Sequence, residues 1–377
     1  MKIGIMTFWW SNDNYGQILQ CYALQKYLRN RGHDAFLIRY HRDTDIISSS
    51  LFEKFRKIFS PIQLINFIRS VRRFYFAKNE EIQNSRCFEE FRNKYIVQSQ
   101  IEYFHYSDLR EKPPKADVYI VGSDQVWNTL NLPLHRCKNF IHAYFLDFGD
   151  SSIKRFSYAA SRMFSLELEK DYVAEVFPLL KRFNYVSVRE KELISFCSTC
   201  GYERAERVCD PTLLLDANDY RKIYRENSIR VQRNKFVLVY MLGNSCKYNF
   251  REIKKFFSKK NLDVVYVTGN AVASKFSKFF ATIPEWLYLL DNAEYVITNS
   301  FHCGVFSILF HKQFGIVPLS GRDKGMNQRF ENLFELFGID SRYIHKSNFS
   351  VLEKMYEEKA VQVPQSFINA LEQNFTI

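Results

Sequence analysis

Several residues capable of group-transfer chemistry stand directly after apolar runs. His302 follows Glu294 to Thr298 (EYVIT) and Asn299-Ser300-Phe301. An imidazole there, beside free backbone N–H groups, can meet an anion or act as a general acid near neutral pH. Arg189 and Glu190 follow Tyr185 to Val188. The planar guanidinium suits a carboxylate or phosphate, and equally an ion pair with neighbouring acids. Gly122, Ser123, Asp124 and Gln125 follow Val118 to Val121, with Trp127 beside them. Asp124 could place a carboxylate at the cleft edge or cap a helix, and Trp127 could stack on a sugar or fill the core. Asn12, Asp13, Asn14, Tyr15 and Gly16 follow the first run. They read either as a turn with a helix N-cap or as a loop that binds an anion or sugar hydroxyls. Arg322, Lys324 and Arg329 form a basic cluster suited to phosphate or to solvent.

The elements that position these groups follow from periodicity. Residues 2–8 read as a buried strand, 16–31 as a helix ending at Gly32, and 35–40 as the next strand. Strands are expected at 118–121, 156–161 and 185–188, and a second series at 236–242, 262–268, 294–298 and 314–317. Strand–helix–strand repetition requires right-handed crossovers and parallel sheets. The fold class expected is α/β, with two Rossmann-like domains facing a cleft. Ligands in such sheets bind beyond the C-terminal ends of the strands. Cys209-Asp210-Pro211-Thr212 breaks the rhythm and reads as the start of a linker. The divisions expected are 1–210 with a helical insert at 51–115, then 211–345, then a C-terminal helical segment, 346–377, packing back on the first domain. No dinucleotide fingerprint or P-loop is present.

The chain has 377 residues, a formal net charge of +12 and 17% aromatic residues, which point to an anionic partner. Residues 51–78 hold seven Lys and Arg against Glu53 alone, interleaved with six Phe and Tyr75. Pro61 divides two amphipathic helices there, a pattern that suits an anionic membrane surface or packing of the Phe side chains into the core. A nucleic-acid partner is disfavoured, because no recognised module is visible and the charge is concentrated in one segment. The eight cysteines are scattered, and Cys197-Ser198-Thr199-Cys200 lacks a second pair at zinc spacing, so no metal is expected. No signal peptide or membrane span is visible, so a cytoplasmic protein is expected, peripheral on the inner face of the membrane if 51–78 binds lipid.

The opening MKIGIMTFWWSNDNYGQILQCYALQKYLRNRGHDAFLI, then DVYIVGSDQVWN, FSYAAS, VSVREK, DPTLLL and ITNSFHCGVFSILF resemble, in that order, the polysaccharide pyruvyl transferase family over roughly residues 1–340. The resemblance implies a fold like the GT-B glycosyltransferases, with the first domain on the acceptor side and the second on the donor side. It implies transfer of pyruvate from phosphoenolpyruvate (PEP), a co-substrate, to two hydroxyls of a sugar on a lipid-linked or polymeric glycan, without another cofactor. In some members the segment matching Ser300-Phe301-His302 reads Arg-Leu-His, and its Arg and His bind PEP. Here Ser300 stands in place of that Arg, so Arg189, Arg322, Lys324 or Arg329 has to supply the cation. His302, Asp124 and Arg189 are the catalytic candidates. Asn12 to Gly16, Ser123 to Gln125 and Trp127 are the acceptor candidates. The rival readings are a GT-B-like glycosyltransferase using a nucleotide sugar and a non-catalytic nucleic-acid-binding protein.

Overall fold

The computed structural model describes residues 1–41, 85–128, 133–162, 170–243, 248–268, 279–345, 348–359 and 364–373, and the side chains of Arg322 and Gln373 lie outside the description. The basic segment 51–78 falls outside it too. The chain opens with β1 (Lys2–Met6), α1 (Tyr15–Asn30) and β2 (Asp34–Tyr40). Asn14 caps α1 by accepting the Gln17 N–H at 3.3 Å. β3 (Gln98–Tyr103), β4 (Val118–Val121), β5 (Lys154–Ala160), β6 (Tyr185–Val188) and β7 (Glu206–Arg207) complete a parallel sheet in the order β3-β2-β1-β4-β5-β6-β7. A second parallel sheet holds β8 (Phe236–Met241), β9 (Asp263–Thr268), β10 (Tyr295–Thr298) and β11 (Gln313–Ile316) in the order β11-β10-β8-β9. The central strands β1, β4, β8 and β10 read as unbroken apolar runs because both faces of a parallel sheet are covered.

Strands β3 and β7 are not evident in the sequence. Both are edge strands, and neither carries an apolar run. In β3, Ile101 is exposed and the remaining positions are mostly polar.

The strand order reverses between β1 and β4 in the first sheet and between β8 and β10 in the second. These reversals open a crevice at the C-terminal strand ends. Asn299 spans the second reversal: its Oδ1 accepts the Leu242 N–H at 2.7 Å and its Nδ2 donates to the Leu242 carbonyl at 2.8 Å.

One apolar core runs continuously through both sheets. Tyr15 pins them together. Its ring stacks on Trp286 at 5.3 Å between centroids, and its hydroxyl donates to the Ala281 carbonyl at 2.7 Å. At the C-terminus, Phe367 packs on Tyr158 and Tyr185 of the first sheet, at 4.6 and 5.6 Å between centroids. Among the described residues no helix is long and apolar enough to cross a membrane.

Candidate active site

Arg189 leaves the end of β6 and enters the space between the sheets, where its side chain is 4% exposed. Its Nε donates to Glu190 Oε1 at 3.0 Å. Its Nη1 donates to Asp210 Oδ2 at 3.0 Å and to Ser123 Oγ at 3.2 Å, and its Nη2 to Ser161 Oγ at 2.8 Å. Four of the five guanidinium N–H groups are therefore committed within the protein. Burial opposes the charge of Arg189, but Glu190 and Asp210 outweigh it and raise the pKa above the ordinary arginine value. The expectation that Arg189 offers an open fork to PEP is corrected on this point, since those carboxylates and hydroxyls already fill the fork.

Asp210 begins the passage from the first sheet to the second. It caps a 3-10 turn, Pro211–Leu214, through Oδ1, which accepts the Thr212 N–H at 3.0 Å and the Thr212 hydroxyl at 2.7 Å. Its Oδ2 takes Arg189 and Ser123, the latter at 3.3 Å, and lies 3.4 Å from His302 Nε2. Burial alone would raise the pKa of this carboxyl. The positive charges of His302 and Arg189 overwhelm that effect and hold it well below the usual carboxylate range.

His302 comes from the other sheet, in the first turn of the helix Phe301–Leu309 that follows β10. Ser300 caps that helix by accepting the Cys303 N–H. The imidazole Nε2 is buried without a hydrogen bond, its contact with Asp210 falling short of that geometry. The ring lies against the first turn of α1. A Cβ on Gly16 would meet the ring Cγ and Nδ1 at 2.3 Å, so only glycine lets the two helix N-termini approach this closely.

Asp124 sits where β4 ends, in a left-handed conformation (φ 79°), and its Oδ1 accepts the Gln125 N–H at 2.8 Å. Its charge acts on both Arg189 and Arg329. Arg329 lies over the Phe301 ring at 5.6 Å and Arg189 at 4.4 Å. Its Nε donates to the Met326 carbonyl at 3.3 Å, and its Nη groups meet no acceptor among the described residues. Burial and the Arg189 charge push its pKa down to about 10. A cation so placed is stabilised by an incoming anion. The cavity between Arg189, Asp210, Phe301 and Arg329 is about 10 Å³, room for a single water at most.

Two acceptor-binding expectations are corrected. Trp127 is a core residue, 1% exposed, stacked on Phe145 at 4.9 Å, with its Nε1 donating to the Tyr144 carbonyl at 3.3 Å. Tyr15 is likewise enclosed between the sheets and presents no face to a sugar. Asn12 and Asn14 hold the loop itself: Arg92 donates to Asn12 Oδ1 at 2.8 Å and to the Ser11 carbonyl at 2.9 Å, and Asn14 is the helix cap. Asp13 Oδ1 accepts the Ser11 hydroxyl at 2.8 Å. Ser123 is buried within the Arg189 network. Gln125 is half-buried, with an Nε2 that meets no partner among the described residues. Lys324 is exposed on the 3-10 turn Gly321–Asn327, and the Arg322 side chain lies outside the described residues. Among the described residues, no three His, Cys, Asp or Glu side chains converge to hold a metal ion. Sequence reasoning missed Ser161 and Asp210. Both lie in runs that carry the family resemblance, FSYAAS and DPTLLL, but Ser161 reads as the end of a strand and Asp210 as the start of a linker, so neither stood out as a site residue.

The sequence pattern of the polysaccharide pyruvyl transferases matches residues 14–320, most of the chain. The chain belongs to the polysaccharide pyruvyl transferase family. Among curated proteins, no sequence matches it. Several solved structures share its architecture. UDP-GlcNAc 2-epimerase from Methanocaldococcus jannaschii, in complex with UDP-GlcNAc and UDP, is 11% identical, with 99% of this chain and 100% of that one covered and a TM-score of 0.51. UDP-GlcNAc 2-epimerase from Neisseria meningitidis bound to UDP-GlcNAc is 10% identical over 99% and 92% of the two chains, with a TM-score of 0.46. A glycosyltransferase from Streptomyces sp. SF2575 is 12% identical over 94% and 89%, with a TM-score of 0.36. The first of these likenesses shows the fold of this pyruvyl transferase family member: α/β, with two Rossmann-like units in a GT-B-like arrangement.

Proposed function

We propose that this family member transfers pyruvate from PEP to two hydroxyls of one sugar, galactose by preference, on a lipid-linked or polymeric glycan. The product is a cyclic ketal, released with phosphate, in the synthesis of a capsular or exopolysaccharide. The observation that carries the reading is His302, buried, with its Nε2 making no hydrogen bond among the described residues, against Asp210 and the N-terminus of α1. Two helix N-termini meeting at one histidine make an environment suited to an anion.

The chemistry divides among these residues. His302 delivers a proton to C3 of PEP, which makes C2 electrophilic. A sugar hydroxyl adds at C2 and gives up its proton, with Asp124 as acceptor or as the group that orients the sugar. The C2–O bond to phosphate then breaks, and its electron pair leaves with the phosphate. The second hydroxyl attacks the resulting oxocarbenium ion, gives its proton to the departing phosphate and closes the ketal. Arg329, whose Nη groups meet no acceptor among the described residues, is the cation best placed for the donor anion. Arg189 stabilises the departing charge through the network it already organises. A space of about 10 Å³ does not hold PEP, so Arg329 or the start of the helix bearing it, Gln328–Phe337, moves aside on binding.

The test is to incubate the purified protein with PEP and a panel of lipid-linked saccharides, measuring phosphate release and product mass. His302→Ala is expected to abolish phosphate release, and wild-type rates in that variant would sink the assignment. Nucleotide release from a nucleotide sugar, with PEP inert, would identify the glycosyltransferase alternative.

A further inference from the structure

We propose that Asp210 is a positioning residue for His302, holding the imidazole from the opposite side of the interface and supplying its counter-charge. The proposal rests on the pyruvyl-transfer reading. Asp210 belongs to the segment leaving the first sheet, whereas His302 opens a helix of the second. The carboxylate cannot swing freely, because Oδ1 is tied by two bonds to Thr212 and Oδ2 is shared by Arg189 and Ser123. The remaining approach to Oδ2 is taken by His302 Nε2 at 3.4 Å. Turning the ring N–H toward Oδ2 makes that contact a charge-assisted hydrogen bond.

The charges around the pair are mixed. Glu190 and Asp124 act on the neighbouring Arg189 and Arg329, and Arg189 bonds Asp210 directly. Cys209 and Cys303 flank the two residues, and burial pushes both thiols up, Cys209 to about 11 and Cys303 to about 12, so neither carries charge at neutral pH. Of the carboxylates among the described residues, only Asp210 stands within 4 Å of the ring nitrogen, at 3.4 Å. It remains ionised throughout the working pH range and stands as the counter-charge beside the imidazole that must deliver a proton to PEP.

The test compares Asp210→Asn, which removes the charge, with Thr212→Val, which keeps the charge but loosens its tether. Two readouts are taken: the pH profile of PEP-dependent phosphate release, and the pH dependence of the His302 ring resonances in substrate-free protein. Asp210→Asn is expected to lower kcat by about 100-fold, the usual scale for a proton-transfer group. It should also move the alkaline limb of the profile, and the midpoint of the ring resonances, to lower pH by about one unit. Thr212→Val is expected to lower kcat about tenfold with the limb unmoved. If Asp210→Asn does not fold, Asp210→Glu replaces it, with lowered kcat and an unmoved limb expected. Wild-type kcat in Thr212→Val or Asp210→Glu, or an unmoved limb and midpoint in folded Asp210→Asn, overturns the proposal. If wild-type protein releases no phosphate from PEP with any acceptor, the functional reading fails. The ring resonances still decide the pairing in that case.

Discussion

Replacing Gly16 with alanine tests how the two sheets meet. In the first turn of a helix without neighbours, glycine to alanine would stabilise by up to about 1 kcal/mol, since alanine loses less backbone entropy on folding. Here the added Cβ would stand 2.3 Å from two atoms of the His302 ring and 2.4 Å from its Cβ. Ordinary contact begins near 3.4 Å, so α1 or the His302 helix has to retreat by roughly 1 Å, and overpacking of this kind costs about 1–3 kcal/mol. The expected sign is the reverse of that set by helix propensity alone. The same displacement separates His302 from Asp210, and an error of about 1 Å at a catalytic group costs on the order of 100-fold in rate. Urea unfolding measures the first effect and PEP-dependent phosphate release the second. In a His302→Ala background the ring is gone, and Gly16→Ala should recover its favourable sign, giving a coupling of at least about 1 kcal/mol. A Gly16→Ala protein as stable and as active as the wild type would refute the close approach.

Other substitutions probe the rest of the site and its surroundings. Arg189→Lys cannot reproduce a fork shared by Glu190, Asp210, Ser123 and Ser161, and should destabilise by about 3–5 kcal/mol in denaturant melts. Trp127→Leu should lower the melting temperature through lost core packing, at a cost of about 1–3 kcal/mol, while leaving the acceptor KM unchanged. His142 bridges Asp147 at 2.6 Å and Glu175 at 2.5 Å, and the hydrogen bond to Asp147 raises its pKa despite partial burial. A raised histidine pKa means stabilisation that is complete below the unfolded value of about 6.5 and fades as pH climbs through the folded one. His142→Gln should therefore cost more stability at pH 6 than at pH 9, which paired urea titrations at the two pH values will show.

Most central strands are legible in the sequence because their signal is local. A run such as Val118 to Val121 announces a buried parallel strand, and the polar residues following it announce the crevice. The His302 segment, the Asp124 segment and Arg189 stand at such strand ends in the structure. Trp127 and Tyr15 were ambiguous for a physical reason. An aromatic ring suits a sugar face and an apolar core equally, and only the neighbours decide. Phe145 and Trp286 cover the rings and place both in the interior.

Strand periodicity, the absence of nucleotide fingerprints and the ordered family motifs are properties of neighbouring residues, so the sequence alone determined the α/β class and the family. The pairing of Asp210 with His302, the filling of the Arg189 fork, the open Nη groups of Arg329 and the need for glycine at position 16 all join residues distant in the chain. Those relations depend on how the two sheets come together, and only the tertiary structure decided them.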